Sequence, residues 1–139
     1  GGSDQLMPNG IALSPDESKV FGNVYLGHRT ARIDRASGAV GGVFEVRQPD
    51  NITVDAAGDL WVASHGHDPL GQTCAAVSEG PCLLPYEVVR ADAETLETEV
   101  VFRGDGAPMG YTTVVLKVDE TLYLGSAHGG RIASFTIAP

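Results

Sequence analysis

Oxygen-bearing side chains stand at the start of two apolar runs. Asp50 and Asn51 precede Ile52 in "QPDNITVD", and Asn9 precedes the run "GIAL". Carboxylate and amide oxygens are the ligands that hard cations such as Ca²⁺ prefer. Asp and Asn are also turn residues whose side chains hydrogen-bond their own backbone, so a loop that enters a strand explains the same letters. Choosing between a cation site and a turn requires the elements that position these residues.

Four histidines follow short apolar runs, in "YLGHR", "VASHGHD" and "GSAHG"; they are His28, His65, His67 and His128. Taken singly, each is best explained as a solvated loop residue, although their similar placement favours a common site. The stretch from His65 to Asp68 suggests transition-metal ligation, but it lacks a third well-spaced ligand.

The composition excludes several classes of partner. The 139 residues carry a formal net charge of −9 at a pI near 4.6, which repels phosphate backbones and anionic bilayers. No apolar run approaches the ~20 residues of a membrane span. A hydrophobic content of 42% with 18 glycines and 8 prolines predicts a single globular domain rich in turns. Neither a nucleic acid partner nor a membrane span is expected.

Two cysteines, Cys74 and Cys82, bracket "CAAVSEGPC". Gly80 and Pro81 allow the loop to fold back, so we expect a disulfide and an oxidising location, either periplasmic or extracellular. Two reduced thiols remain the alternative, and a zinc site is disfavoured by the spacing. The cysteines lie in an irregular stretch, residues 66–85, that is either a lid over a site or a decorative insertion.

A repeat organises the chain. "GIALSPDESKVFGNVYL", "NITVDAAGDLWVASHG" and "VVLKVDETLYLGSAHGG" each consist of a strand, a turn and a second strand. Spacings of about 40–45 residues between such units, once residues 66–85 are set aside, are typical of β-propeller blades. We predict an all-β chain of about three four-stranded blades, at 9–47, 50–104 and 111–137, with the third short of its outermost strand. Residues 1–139 then form one partial propeller domain.

The direction of each antiparallel strand predicts on which face of the ring its polar end residues lie. The start of each first strand and the end of each second strand lie on the same face of the ring. This face carries the four histidines together with Asn9, Asp50, Asn51, Thr112 and Thr113. The turn residues Asp16, Asp55 and Asp59 belong to the opposite face. The apolar residues of the second strands are expected to form the core between blades; they are Leu60, Trp61, Val62, Tyr123 and Leu124.

The motifs "PNGIALSPD" and "PDNITVDAAGDLWVASHG" resemble those of the calcium-dependent six-bladed propeller hydrolases, which include the senescence marker protein/gluconolactonase, paraoxonase and strictosidine-synthase-like proteins. The resemblance covers the C-terminal half of that fold, and the Asp50-Asn51 pair points to the paraoxonase branch. It implies that Asn9, Asp50 and Asn51 are calcium ligands and that His65 lines or polarises the catalytic site. Because His28, His128, Thr112 and Thr113 lie on the same predicted face, we expect them to line the substrate pocket.

The resemblance implies a calcium-dependent hydrolase of lactones or esters that is incomplete by itself. The general base and the remaining calcium ligands, a Glu and a further Asn, belong to the family's N-terminal blades. The expected partner is that missing half or a second copy of the chain. Two alternatives stay open: a metal-independent strictosidine-synthase-like propeller, and a non-catalytic binding module.

Overall fold

The computed structural model describes residues 6–67 and 74–137 as eleven strands and a single 3-10 turn. The first sheet contains β1 (Pro8–Leu13), β2 (Lys19–Val24), β3 (Arg29–Asp34) and β4 (Val40–Glu45), with the 3-10 turn at Tyr25–Gly27. The second contains β5 (Pro49–Val54), β6 (Leu60–His65), β7 (Tyr86–Ala91) and β8 (Thr98–Gly104). The third contains β9 (Val114–Val118), β10 (Thr121–Gly125) and β11 (Ala133–Thr136). Over these two ranges no helix is long and apolar enough to cross a membrane.

Each sheet is an antiparallel meander in which the strands follow chain order. The predicted all-β propeller architecture is confirmed, and the sheets are called blades 1, 2 and 3 below. The first strands β1, β5 and β9 lie side by side along the axis. Hydrogen bonds join β5 to β9 and to Thr113, the residue before β9. Asn51 N donates to Thr113 O over 3.1 Å, and Thr53 Oγ1 donates to Val115 O over 2.8 Å. Within residues 6–67 and 74–137, blade 3 has three strands, whereas blades 1 and 2 have four.

Two apolar clusters form the core between successive blades. Phe21, Phe44 and Val46 of blade 1 pack against Ile52, Leu60 and Val62 of blade 2, and Trp61, Tyr86 and Val88 of blade 2 pack against Val115, Leu122 and Leu124 of blade 3. Burying each such side chain contributes roughly 1.5–3 kcal/mol. The prediction that Tyr123 belongs to this core is wrong. Its side chain is 43% exposed, because it lies on the face of blade 3 that points away from blade 2.

The acidic turns stabilise hairpins, and one of them also joins two blades. Asp55 Oδ1 accepts hydrogen bonds from the backbone of Ala57 and Asp59, as a turn-forming residue should. Its Oδ2 accepts a hydrogen bond from Trp61 Nε1 over 3.0 Å and lies 3.2 Å from Lys117 Nζ in blade 3. Asp55 is therefore a buried connection between blades as well as a turn former.

Gly10 allows β1 and β5 to approach each other at the axis. A Cβ at this position would lie 2.5 Å from Asp50 O and 2.6 Å from Asn51 Cα, both of which are backbone atoms. Only glycine permits such an approach without displacing one strand. The glycine of "PNGIAL" thus places Asn9 next to Asp50.

Candidate functional site

The site is centred on the carboxylate of Asp50, at the start of β5. The side chain of Asn9 hydrogen-bonds this carboxyl group from β1. Asn51 Nδ2 donates to Thr113 O of blade 3 over 2.8 Å, so its Oδ1 is the end of the amide left for other partners. Asn23 Nδ2 donates to Asp50 O over 2.7 Å, and Asn23 Oδ1 accepts a hydrogen bond from Thr30. Blades 1, 2 and 3 therefore all contribute to holding this one residue pair.

His65, at the end of β6, lies next to the Asp50 carboxylate, and both of its ring nitrogens are hydrogen-bonded. Its Nε2 lies 2.8 Å from Thr112 O and 3.6 Å from Asp50 Oδ2, and its Nδ1 lies 2.7 Å from the Tyr25 hydroxyl. A carbonyl oxygen only accepts hydrogen bonds, so Nε2 carries the proton and Nδ1 accepts the Tyr25 proton. With a 2% exposed side chain and no free nitrogen, His65 is placed to orient its neighbours rather than to abstract a proton from a substrate.

Aromatic rings surround His65. The Tyr25, His67 and Tyr111 rings have centroids 5.5, 5.3 and 4.8 Å from that of His65, and Tyr111 also contacts His67. Tyr25 and His67 are buried, and Tyr111 is half-buried. This packing excludes water from the imidazole and lowers the dielectric around the Asp50 carboxylate.

Burial controls the protonation of the site. It raises the pKa of Asp50 to about 6, against which the Asn9 hydrogen bond is the weaker effect. It lowers the pKa of His65 to about 4, and the neighbouring His67 acts in the same direction. Burial and the negative charge of Asp50 raise the pKa of Tyr25 to about 12. At neutral pH the site therefore contains one carboxylate, a neutral imidazole and neutral phenols.

The other predicted pocket residues lie around this centre in different roles. Thr112 is buried and accepts the His65 hydrogen bond through its carbonyl, and Thr113 does the same for Asn51. His28 is exposed, and its Nδ1 accepts a hydrogen bond from Gln48 N over 3.1 Å. His128 is half-buried, and its carbonyl accepts a hydrogen bond from Cys82 N. None of the contacts described joins the imidazoles of His28 and His128 to Asp50, so their role as pocket residues stays a prediction.

Gln48 was missed by the sequence analysis. Its backbone lies between the histidine-bearing loops, because it donates to His28 and accepts a hydrogen bond from His65 N. It has a φ of 41°, which is the left-handed region, and its side chain is fully buried. Neither end of its amide has a hydrogen-bond partner among the described residues. The only available signal was the position of Gln48 directly before the turn residues "PDN", and nothing in the sequence indicated that its side chain is buried.

The predicted disulfide between Cys74 and Cys82 is present. Cys82 connects to the blade 3 side of the site through its backbone, since its carbonyl accepts from Tyr111 N and its N–H donates to His128 O, both over 3.0 Å. The predicted lid, residues 66–85, extends over positions 68–73, which lie outside the described residues. Asp68, named in the transition-metal alternative, is one of these.

The side chains around Asp50 are of the type that a hard cation prefers. Over residues 6–67 and 74–137, no three His, Cys, Asp or Glu side chains come together as a metal centre would require. The polar side chains that do come together are those of Asn9, Asp50 and Asn51, because Asn9 hydrogen-bonds the Asp50 carboxyl group and Asn51 Nδ2 lies 3.4 Å from Asp50 Oδ1. The charge of the Asp50 carboxylate is not balanced by its neighbours, because the imidazole beside it is neutral. An oxygen-rich site with one uncompensated negative charge suits Ca²⁺.

Comparisons with known proteins support the fold. No protein-family model matches the sequence, and no curated protein matches it. Among solved structures, a Bacteroides caccae protein described as of unknown function superposes with a TM-score of 0.54 at 13% identity, over 82% of this chain and 36% of its own. A luciferin-regenerating enzyme superposes with a TM-score of 0.55 at 20% identity, over 90% of this chain and 39% of its own.

The luciferin-regenerating enzyme is a β-propeller, so the likeness supports this fold for the present chain. At such low identity it carries no information about activity. The chain spans well under half of the length of either structure, and in both the matched region is part of a larger protein.

Proposed function

We propose that this chain is part of a calcium-dependent hydrolase of lactones or esters and that Asn9, Asp50 and Asn51 bind the metal. The observation that carries the proposal is the burial of the Asp50 carboxylate without a positive charge beside it. The Asp50 side chain is only 15% exposed, and the imidazole of His65 next to it is neutral. Burying an unpaired charge is costly, and proteins retain such groups where a cation or a substrate completes the site.

The surrounding residues prepare these oxygens for a cation. Asn23 fixes the backbone of Asp50, while Thr113 O orients the Asn51 amide by accepting from its Nδ2. His65 is held by Tyr25 and Thr112, so its N–H edge stays close to the carboxylate. The chemistry that a bound calcium ion supplies is polarisation of an ester or lactone carbonyl and stabilisation of the oxyanion formed when water attacks.

Three side chains make an incomplete site, since Ca²⁺ takes about six to eight oxygen ligands. We propose that water and a partner polypeptide supply the others. This partner is the remainder of a six-bladed ring, of which the present blades would form the C-terminal half, or a second copy of the chain. The Cys74–Cys82 disulfide supports a periplasmic or extracellular location.

The test is a calcium titration of the thermal unfolding of the chain assembled with its partner, with Asp50→Asn as the variant and Glu45→Gln, an exposed carboxylate on β4, as the matched control. Calcium at about 100 times its Kd should stabilise the parent and the control by about 2.7 kcal/mol. It should leave Asp50→Asn unaffected. Hydrolysis of phenyl acetate and of δ-valerolactone, measured on the chain together with its partner, should follow the same pattern.

Two results would reject the proposal. One is a parent protein whose unfolding temperature is the same in calcium and in chelator. The other is an Asp50→Asn variant that retains the full calcium effect, which would move the metal away from this site. Calcium stabilisation without hydrolysis of either substrate would retain the metal site and reject the activity.

A further inference from the structure

A left-handed backbone conformation precedes the first strand in blades 1, 2 and 3. Met7, Gln48 and Gly110 have φ values of 60°, 41° and 105°. Each lies two residues before a residue of the candidate site; these site residues are Asn9, Asp50 and Thr112, respectively. The turn made by the left-handed residue therefore sets the direction in which the chain enters the site.

Gln48 adopts this conformation at the greatest cost. Glycine takes a positive φ freely, as at Gly110, whereas residues with a side chain do so rarely. Met7 is exposed, but Gln48 is 0% exposed, and neither end of its amide has a hydrogen-bond partner among the described residues. A buried residue in an unfavourable conformation persists where its surroundings hold it there. The contacts that hold Gln48 thus determine where Asp50 lies.

Hydrogen bonds from two sides hold this turn. His65 N donates to Gln48 O over 3.2 Å, next to the paired strands β5 and β6. From blade 1, His28 O accepts a hydrogen bond from Val46 N over 3.1 Å, and His28 Nδ1 accepts one from Gln48 N, also over 3.1 Å. Of these bonds, only the one to Nδ1 uses a side chain. The imidazole of His28 is therefore a direct link between blade 1 and the turn.

The Gln48 N–H depends on this acceptor. Water does not reach it, because Gln48 is fully buried, and an unpaired N–H in such a place is costly. His28 directly follows the 3-10 turn, where its N–H donates to Tyr25 O. The same short turn carries the Tyr25 hydroxyl, which donates to His65 Nδ1 over 2.7 Å. Its two ends thus hold His65 and Gln48, the two residues that bond to each other beside Asp50.

We propose that His28 is a positioning residue for the calcium ligands. Its Nδ1 holds the turn at Gln48 in the left-handed conformation, and this turn places the side chains of Asp50 and Asn51 at the axis. The role rests on the proposed function, and it differs from contact with the substrate because His28 acts through Gln48.

Two substitutions separate the acceptor from the rest of the side chain. His28→Asn keeps an acceptor, Oδ1, near the place of Nδ1 and tolerates a positive φ, whereas His28→Leu has a side chain of similar size without an acceptor. Asp119→Asn and Asp119→Leu are the matched controls. Asp119 has a φ of 51°, against 52° for His28, and is exposed in blade 3.

Hydrogen exchange and calcium affinity are measured on the chain assembled with its partner. In chelator, the Gln48 amide should exchange at least about tenfold faster in His28→Leu than in the parent. The calcium Kd of His28→Leu should rise by about 10–100-fold, as is usual when a residue that orients metal ligands is lost. His28→Asn should stay close to the parent in both measurements, and both Asp119 variants should bind calcium as the parent does.

Equal calcium affinities for His28→Leu and His28→Asn would overturn the proposal. This holds even if the exchange of Gln48 differs, because His28 would then stabilise the turn without positioning the ligands. A similar loss of affinity in Asp119→Leu would also overturn it, since leucine at a positive φ would then explain the effect. A parent that binds no calcium is a separate failure, because it rejects the proposed metal site and, with it, the role of His28 there.

Discussion

The Nε2 atom of His65 lies 3.6 Å from Oδ2 of Asp50, yet the two side chains do not form an ion pair at neutral pH. Burial lowers the pKa of His65 to about 4 and raises that of Asp50 to about 6, so each group disfavours its charged form. Between these two values, the neutral forms of both side chains predominate. Above pH 6 the carboxylate is charged and lacks a positive neighbour, which is the state that a cation would stabilise.

These opposite shifts give a pH prediction for the metal-free protein. The pKa of Asp50 is raised from 3.8, so its contribution to stability is complete below pH 3.8 and is lost as the pH rises through about 6. The pKa of His65 is lowered from 6.5, so its contribution is complete above pH 6.5 and is lost as the pH falls through about 4. In the parent the two trends largely cancel between about pH 4 and 6.

Asp50→Asn removes one of the two trends. Its free energy of unfolding should increase by about 2–3 kcal/mol from pH 4 to pH 6.5, which is the contribution of His65 alone. Urea denaturation in chelator buffer at several pH values measures this. His65→Gln should show the opposite slope, and identical profiles for the parent and both variants would contradict the assignment.

Tyr25→Phe should destabilise the protein more than its small change in size suggests. The Tyr25 hydroxyl is the hydrogen-bond donor to His65 Nδ1, and removing it leaves a buried acceptor unpaired at a cost of about 1–3 kcal/mol. Tyr123→Phe is the control, because Tyr123 is an exposed residue on blade 3. Equal unfolding midpoints for the two variants in urea would show that the Tyr25 hydroxyl does not stabilise the imidazole.

The sequence predicted the fold better than it predicted the site. The fold was predictable from local signals: the alternation of apolar and polar residues, turns rich in Asp and Gly, and a repeat of about 40–45 residues. The eleven strands described lie where these signals predict them. The error at Tyr123 has a simple cause: alternation tells which side of a strand is apolar, but not whether another sheet covers that side.

The site depends on contacts between residues that are far apart in the chain. The spacing of motifs placed Asn9, Asp50 and Asn51 together at the axis. Nothing in the sequence indicated that the Tyr25 hydroxyl would meet His65, forty positions away. Asn23 gave a weak signal, as a polar residue within the apolar run "KVFGNVYL", but its bond to Asp50 O requires the packing of two blades.

Gly10→Ala should separate Asn9 from Asp50. Its added methyl group would meet the backbone of Asp50 and Asn51 at 2.5–2.6 Å, and backbone atoms there cannot move without shifting β1 or β5. We expect a loss of about 1–3 kcal/mol in the free energy of unfolding together with weaker calcium stabilisation. Gly22→Ala is the matched control in the adjacent strand, where a Cβ would meet no atom within 4 Å. Similar free energies of unfolding for both variants would show that the close approach of β1 and β5 at Gly10 does not determine stability.

Reduction of the Cys74–Cys82 disulfide should affect the site as well as the loop. Closing this short loop contributes about 2–3 kcal/mol by the loop-entropy estimate, and reduction removes that constraint. Cys82 holds Tyr111 N and His128 O through its backbone, so loosening it should increase hydrogen exchange at the amides of Cys82 and Tyr111. The amides of β2 and β3, which lie in blade 1, provide the internal control and should keep their protection.

The Cys74→Ser/Cys82→Ser variant should behave like the reduced protein without any reductant. If reduction changes exchange only within residues 74–82, the disulfide stabilises its own loop and does not position Tyr111.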